Sequence, residues 1–220
     1  MPRSPRLLLP GGYYHLINRG NDRRAVFHTR ADYRSFLTLV NAAQDRAPLG
    51  LLAFCLMPNH FHLVVTPGHA GDVSRWMHWL MTTHTHRHRL RYETTGAIWQ
   101  GRFKAFPIED DTHLHTVLRY VERNALRAGL VDRAERWPWG SLAIRANGAP
   151  LPELTKPPIR LPADWIERVN EAHTPAELDA LRACVNCQRP FGHREWIRDR
   201  DPRPSETTPI RRRGRPRKGN

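Results

Sequence analysis

Cysteine is scarce in this 220-residue chain, which holds only Cys55, Cys184 and Cys187. Three thiols cannot all pair within one chain, so no disulfide framework is expected. Long apolar runs are missing as well. No stretch approaches the ~20 consecutive apolar residues of a membrane helix. Residues 1–10 hold only Leu7-Leu8-Leu9 as an apolar run and show no cleavage pattern, so no signal peptide is expected either. A cytoplasmic protein fits these absences. Acidic residues are also in deficit, with 21 Asp and Glu against 35 Lys and Arg.

That imbalance leaves a formal charge of +14 and a pI near 11.0. A surplus of this size repels itself in the compact state, which makes sense when an anionic partner neutralises it. Nucleic acid is the first such partner to consider and a membrane surface the second. Hydrophobic residues make up 40% of the chain, enough for a core, beside a large polar remainder at a mean hydropathy of −0.63.

The periodicity predicts an α+β domain over roughly residues 8–147. Residues 12–19 (GYYHLINR) follow a Gly-Gly turn and are aromatic and β-branched, the pattern of a strand. A polar, basic loop follows at 21–24. Tyr33, Phe36, Leu37, Val40 and Ala43 recur at helical spacing between 31 and 47. Residues 49–56 form a continuous apolar run of strand length, and a Pro58-Asn59 turn leads into a second strand over 60–66. So brief a connection makes the two antiparallel neighbours. A helix is predicted from 72 to about 90, with Val73, Trp76, Met77 and Leu80 on its apolar side. A further strand or strand pair is predicted over 97–106, and then a helix opening at Asp111 or Thr112 and ending at Gly129. The division expected is a domain at 1–147, a proline-crowded linker with one short helix (175–185) over 148–198, and a charged tail at 199–220, disordered on its own.

Three groups of residues could carry chemistry. His60 and His62 alternate on a strand and so share one face, while Phe61, Leu63 and Val65 point into a core. Paired imidazoles on a rigid strand suit a metal ion, although two surface histidines in a chain with 13 His would look the same. His84, His86 and His88 lie on the second helix among Arg87, Arg89 and Arg91, and read as a basic, solvated face. Tyr120 and Asn124 stand one helical turn apart, which places a phenol and an amide on one patch. Taken without further context, core packing is the better account of the tyrosine.

The segments GGYYHLINRGN (11–21), LMPNHFHLVV (56–65), IWQGRFKA (98–105), YVERNALRAGLV (120–131) and WPWGS (137–141) occur in that order. Together they resemble the REP-associated tyrosine transposases, an IS200-like branch of the HUH-type single-strand transposases. RPFGHREWI (189–197) and the terminal RRGRPRK add to the likeness. The resemblance implies a ferredoxin-like antiparallel sheet with helices packed on it. By the same resemblance His60 and His62 match a metal-binding pair, Tyr120 a nucleophile and Asn124 a third metal ligand. The cofactor would be Mg²⁺ or Mn²⁺, the latter better suited to imidazole. The substrate would be single-stranded or hairpin DNA, repeated extragenic palindromes in particular, and the setting a bacterial cytoplasm with nucleoid association when DNA-bound. One departure is visible: relatives commonly continue with Asn-Pro-Val where this chain has Asn124-Ala125-Leu126. A non-catalytic DNA-binding regulator with the same fold and an RNA-binding module are the competing readings.

DNA contacts are expected from Asn18, Arg19, Asn21, Arg23 and Arg24 after the first strand, and from Gln100, Arg102 and Lys104 on another. Trp99, Phe103, Trp137 and Trp139 could stack on bases or fill the core. Cys184-Val185-Asn186-Cys187, with His193 nearby, is a weak zinc signal for want of a second pair. Arg213-Gly214-Arg215-Pro216 resembles an AT-hook, which fits a narrow A·T minor groove. Deleting residues 210–220 is therefore expected to weaken DNA binding and flatten its salt dependence, because the run from Arg211 to Lys218 carries six cations. Cleavage at saturating DNA should be unchanged. An AT-hook makes the loss larger on A·T-rich than on G·C-rich flanks, and a generic basic tail makes it equal. Binding to both flanks at two salt concentrations separates the two.

Overall fold

The computed structural model describes residues 8–109, 112–148, 152–187 and 189–201, apart from the side chains of residues 186 and 187. Four strands, β1 (Tyr13–Arg19), β2 (Leu49–Met57), β3 (His60–Pro67) and β4 (Lys104–Ile108), form one sheet in the order β2-β3-β1-β4. Every pairing is antiparallel. Helices α1 (Arg30–Ala42) and α2 (Asp72–Tyr92) are the connections that return the chain to the sheet. The ferredoxin-like α+β arrangement expected from the sequence is the fold observed.

Strand register decides which residue meets which helix. Leu16 lies opposite Leu63, and Leu63 opposite Phe54, so these residues share a face with Phe61 and Val65. On that face they pack with Phe36, Leu39 and Val40 of α1 and Trp76, Met77 and Leu80 of α2. The opposite face presents Ala53, Cys55, Met57 and Val64 to a second cluster, built on α3 (Thr112–Glu122) through Val117, Leu118 and Val121. Both faces of the central strands are thus covered. Burial on both sides is why β2 reads as an unbroken apolar run rather than an alternation.

After α3 the chain continues through α4 (Asn124–Arg127), α5 (Ser141–Asn147), α6 (Trp165–Asn170), α7 (Pro175–Cys187) and α8 (Arg194–Arg200). Trp165, Val169 and Leu181 are buried against the α3 cluster. Among the described residues no helix is long and apolar enough to cross a membrane. The basic tail, including Arg213 and Arg215, lies outside the described residues.

Three expectations need correction. Residues 97–103 are a loop rather than strand: Gly101 adopts φ +111, and only Trp99 forms an isolated bridge, to Gly20. The helix expected to run unbroken to Gly129 is interrupted at Arg123 (φ −82, ψ −4). Gly129 does end the second piece, at φ +70, and Leu130 N–H donates to the Ala125 carbonyl at 3.0 Å. His84 is buried rather than solvated. It continues the Leu80 stripe by one turn and packs its ring on Phe36 at 5.1 Å and Trp99 at 5.4 Å.

Glu122, fully buried at the end of α3, ties these layers together. It accepts from Ser141 Oγ at 2.6 Å, Arg145 Nε at 2.8 Å and Trp165 Nε1 at 2.7 Å. Ser141 Oγ in turn accepts the Phe54 N–H at 3.0 Å, and Arg145 reaches the Leu52 carbonyl at a bulge in β2. Removing one partner of a buried ion pair strands the other without solvent, a loss of about 3–5 kcal/mol. Glu122→Ala is expected to lose stability on that scale, read as a lowered midpoint of urea unfolding. Arg168→Ala, whose 2.9 Å pair with Asp164 is exposed, should change it by less than about 1 kcal/mol.

Candidate active site

Pleating of β3 turns His60 and His62 toward α3, with ring centroids 5.0 Å apart. Tyr120, on the last turn of α3, stands with its ring edge-on 5.8 Å from that of His62 and 6.2 Å from that of His15. Asn124 opens α4 and is buried beside it. Asn124 Oδ1 accepts from Arg127 Nη2 at 3.1 Å, and its amide nitrogen has no hydrogen-bond partner. Arg127 completes the group by holding its guanidinium carbon 5.3 Å from the Tyr120 ring centroid. His60, His62 and Tyr120 are therefore linked by ring contacts, and Asn124 is tied to Tyr120 through Arg127.

Burial keeps these imidazoles uncharged. It lowers the pKa of His60 to about 4, assisted by the Arg19 and Arg127 charges. His62 is pushed well below its ordinary value by burial first, then by His60, His15, Arg127 and Arg19. His15 falls to about 3 through burial alone. Neutral imidazole is the form that binds a metal. Hydrogen bonds also leave one nitrogen free on each ring of the pair. His60 Nδ1 meets Asn59 Oδ1 at 2.6 Å and must donate there, which places its lone pair on Nε2. His62 Nδ1 meets His15 Nε2 at 2.8 Å. With His62 as donor, its Nε2 is likewise a lone pair, the arrangement by which outer partners orient metal-binding histidines. Asn124 Oδ1 has a second lone pair beyond the one Arg127 uses. This donor set fits a divalent ion.

Residues 10–124, just over half of the chain, match the family model described as IS200-like transposase. The chain belongs to that family. A Haemophilus influenzae protein provisionally named a REP-associated tyrosine transposase is 28% identical over 143 residues, which cover 60% of this chain and 80% of that protein. A solved REP-associated tyrosine transposase bound to a REP hairpin superposes with a TM-score of 0.56 at 22% identity, covering 67% of this chain and 87% of that one. At that identity the superposition establishes a shared fold.

In this family member the polar residues proposed for DNA contact gather at one end of the sheet. Gly20 N–H donates to the Asn59 carbonyl at 2.7 Å and Gln100 N–H to the Arg19 carbonyl at 2.9 Å, which draws three loops around the start of β3. Arg19, Asn21, Arg23, Arg24, Gln100 and Arg102 are all exposed there, and Arg19 lies directly opposite His60. Lys104 sits within β4, exposed, opposite Ile17. A Cβ on Gly20 would come within 2.3 Å of the Arg24 carbonyl oxygen, so only glycine lets this loop close. Asn18 differs: it is buried on the far face, and its amide is taken up by the Gly101 carbonyl at 3.1 Å and the Arg19 N–H at 2.9 Å. Trp99 and Phe103 are buried core residues, Trp139 stacks on Tyr33 at 4.9 Å, and Trp137 donates to the Leu56 carbonyl.

Sequence reasoning missed three neighbours of the cluster. His15 shares the His62 face because Ile17, two residues on, pairs with His62. Arg127 was legible as the residue three places after Asn124. His173, between α6 and α7, stands 6.2 Å from the Tyr120 ring, and no local pattern brings so distant a residue there. Loss of an outer partner of a metal-binding histidine typically weakens metal binding 10–100-fold. If His62 is a metal ligand, His15→Phe, which keeps a ring against Phe106 and Tyr120, raises the Mn²⁺ dissociation constant by about that factor in a calorimetric titration.

Proposed function

We propose that the chain is a DNA transesterase which cleaves and rejoins single strands of hairpin DNA, with Tyr120 as nucleophile and His60, His62 and Asn124 as metal ligands. The observation that carries this reading is the Tyr120 ring 5.8 Å from His62, itself 5.0 Å from His60, with Arg127 reaching both Tyr120 and Asn124. The hairpin in the solved relative and the +14 charge support hairpin DNA as substrate.

The Tyr120 oxygen would attack the scissile phosphorus, forming a P–O bond to tyrosine as the P–O3′ bond breaks. The phenolic proton leaves, and the departing 3′ oxygen takes up a proton to become a hydroxyl. A 5′-phosphotyrosine results, which conserves the bond energy for rejoining. A bound Mg²⁺ or Mn²⁺ would polarise the phosphoryl oxygen and offset the developing charge. Arg127, which reaches both Asn124 and Tyr120, would hold the phosphate near the nucleophile. The exposed arginines around β3 would track the strand backbone, supplying affinity rather than sequence readout. Gln100 and Asn21 are the amides free to meet base edges.

The test is a denaturing gel for a covalent adduct after incubation with single-stranded hairpin DNA and Mn²⁺. Tyr120→Phe should abolish the adduct with DNA affinity nearly intact, and His60→Ala or His62→Ala should lower its yield at least about tenfold at limiting metal. An undiminished adduct in Tyr120→Phe would move the nucleophile elsewhere. Tyr33 and Tyr92 are poor substitutes, since one is packed on Trp139 and the other donates to Asp32 at 2.6 Å. Tight binding with no adduct from the unaltered chain would leave a non-catalytic DNA-binding regulator.

A further inference from the structure

We propose that Glu109, His113 and His193 form a zinc site, separate from the histidine pair on β3, that clips residues 189–201 to the outer edge of β4. One ligand atom from each residue lies within 4.8 Å of the others. His193 Nδ1 is 3.0 Å and His113 Nδ1 3.8 Å from Glu109 Oε2, and the two imidazoles meet edge to face at 4.5 Å. Bonds of about 2.0–2.1 Å to a tetrahedral zinc separate its donor atoms by roughly 3.3 Å, so small side-chain movements complete the geometry. Two nitrogens and a carboxylate favour zinc over magnesium or calcium, which prefer all-oxygen shells. His193 is 66% exposed, which leaves room for water as fourth ligand. Seven residues of helix, about 10 Å of rise, separate His113 from Tyr120.

The backbone brings this trio together before any ion binds. Phe191 N–H donates to the Pro107 carbonyl at 2.9 Å, and Glu109 N–H to the Phe191 carbonyl at 3.0 Å, so the segment lies along an otherwise bare sheet edge. Gly192 permits the approach: a Cβ there would stand 2.6 Å from Glu109 Oε2. The helix that follows has little else to hold it. None of residues 194–200 is fully buried, with Trp196 and Ile197 only half-buried, and a groove of roughly 650 Å³ is lined by Trp196 and Arg198 with Tyr13, Tyr14 and Pro107. Phe191 is the segment's apolar foothold, and an ion at the trio would add a second attachment beside it. It would keep an exposed strand edge covered.

The test uses the full chain, stripped of metal, with Zn²⁺ alone and no DNA. Trypsin cleavage after Arg194, Arg198 and Arg200 should slow at least tenfold on adding zinc to the unaltered chain, and should not respond in His193→Gln. His113→Gln keeps the Glu109–His193 contact, so it isolates the metal from the ion pair, and it should lose at least tenfold in zinc affinity by chelator competition. His60→Ala should retain the protection. Protection that survives in both His193→Gln and His113→Gln, or that vanishes in His60→Ala, overturns the proposal. So does an unaltered chain whose segment 189–201 is cleaved equally fast with and without zinc.

Discussion

The buried carboxylate of Glu122 organises the half of the molecule that carries the candidate site. A charge withdrawn from water is tolerable only when its oxygens are fully partnered. Here the partners come from α5 and α6, and two of the same groups continue to the β2 backbone. Tyr120 and Asn124 each stand two residues from Glu122. Pinning that one residue fixes the roll and height of α3 against the sheet, and with them the position of a phenol over two imidazoles. Apolar contacts along Val117, Leu118 and Val121 supply cohesion, but they would tolerate a small slide that this directional network does not.

The site depends on a second constraint, the separation of dry from charged surface. His15 and His62 are almost wholly enclosed, and enclosure keeps them neutral in a protein of +14 formal charge. The arginines collect on loops at the end of β1, where solvent screens them and a polyanion could reach them. Arg127 crosses from one environment to the other, with its guanidinium on Asn124 and over Tyr120. Membership of the IS200-like transposases accords with this layout of neutral buried histidines under a cationic rim.

Much of the fold was legible because hydrophobic period is local. The strands at 13–19, 49–57 and 60–67 and the helices at 30–42 and 72–92 all lie where alternation or helical spacing places them. Errors arose where tertiary packing overrides local pattern. Trp99 and Phe103 look like strand residues, but they plug the core from a loop that Gly101 bends. His84 sits among arginines in the sequence, yet helical rotation carries it inward with Leu80. The sequence past Tyr120 keeps a helical pattern, and Arg123 offers no local reason to interrupt it. Asn18 has the chemistry of a base-reading residue, and only the register shows that it faces the other side of the sheet from His62.

The sequence by itself determined that His60 and His62 share a face through the two-residue pleat, and that Tyr120 and Asn124 stay within four residues of each other across the break at Arg123. These are consequences of backbone geometry and need no partner. Only the tertiary structure decided what stands opposite them. His15 meets His62 because β1 pairs with β3 in one register, and a slip of one residue would turn it to the other face. Glu122 finds Ser141, Arg145 and Trp165, and Glu109 finds His193, across separations that no periodicity spans. Such meetings are set by how whole layers pack, and burial then fixes the charge state of each group that meets.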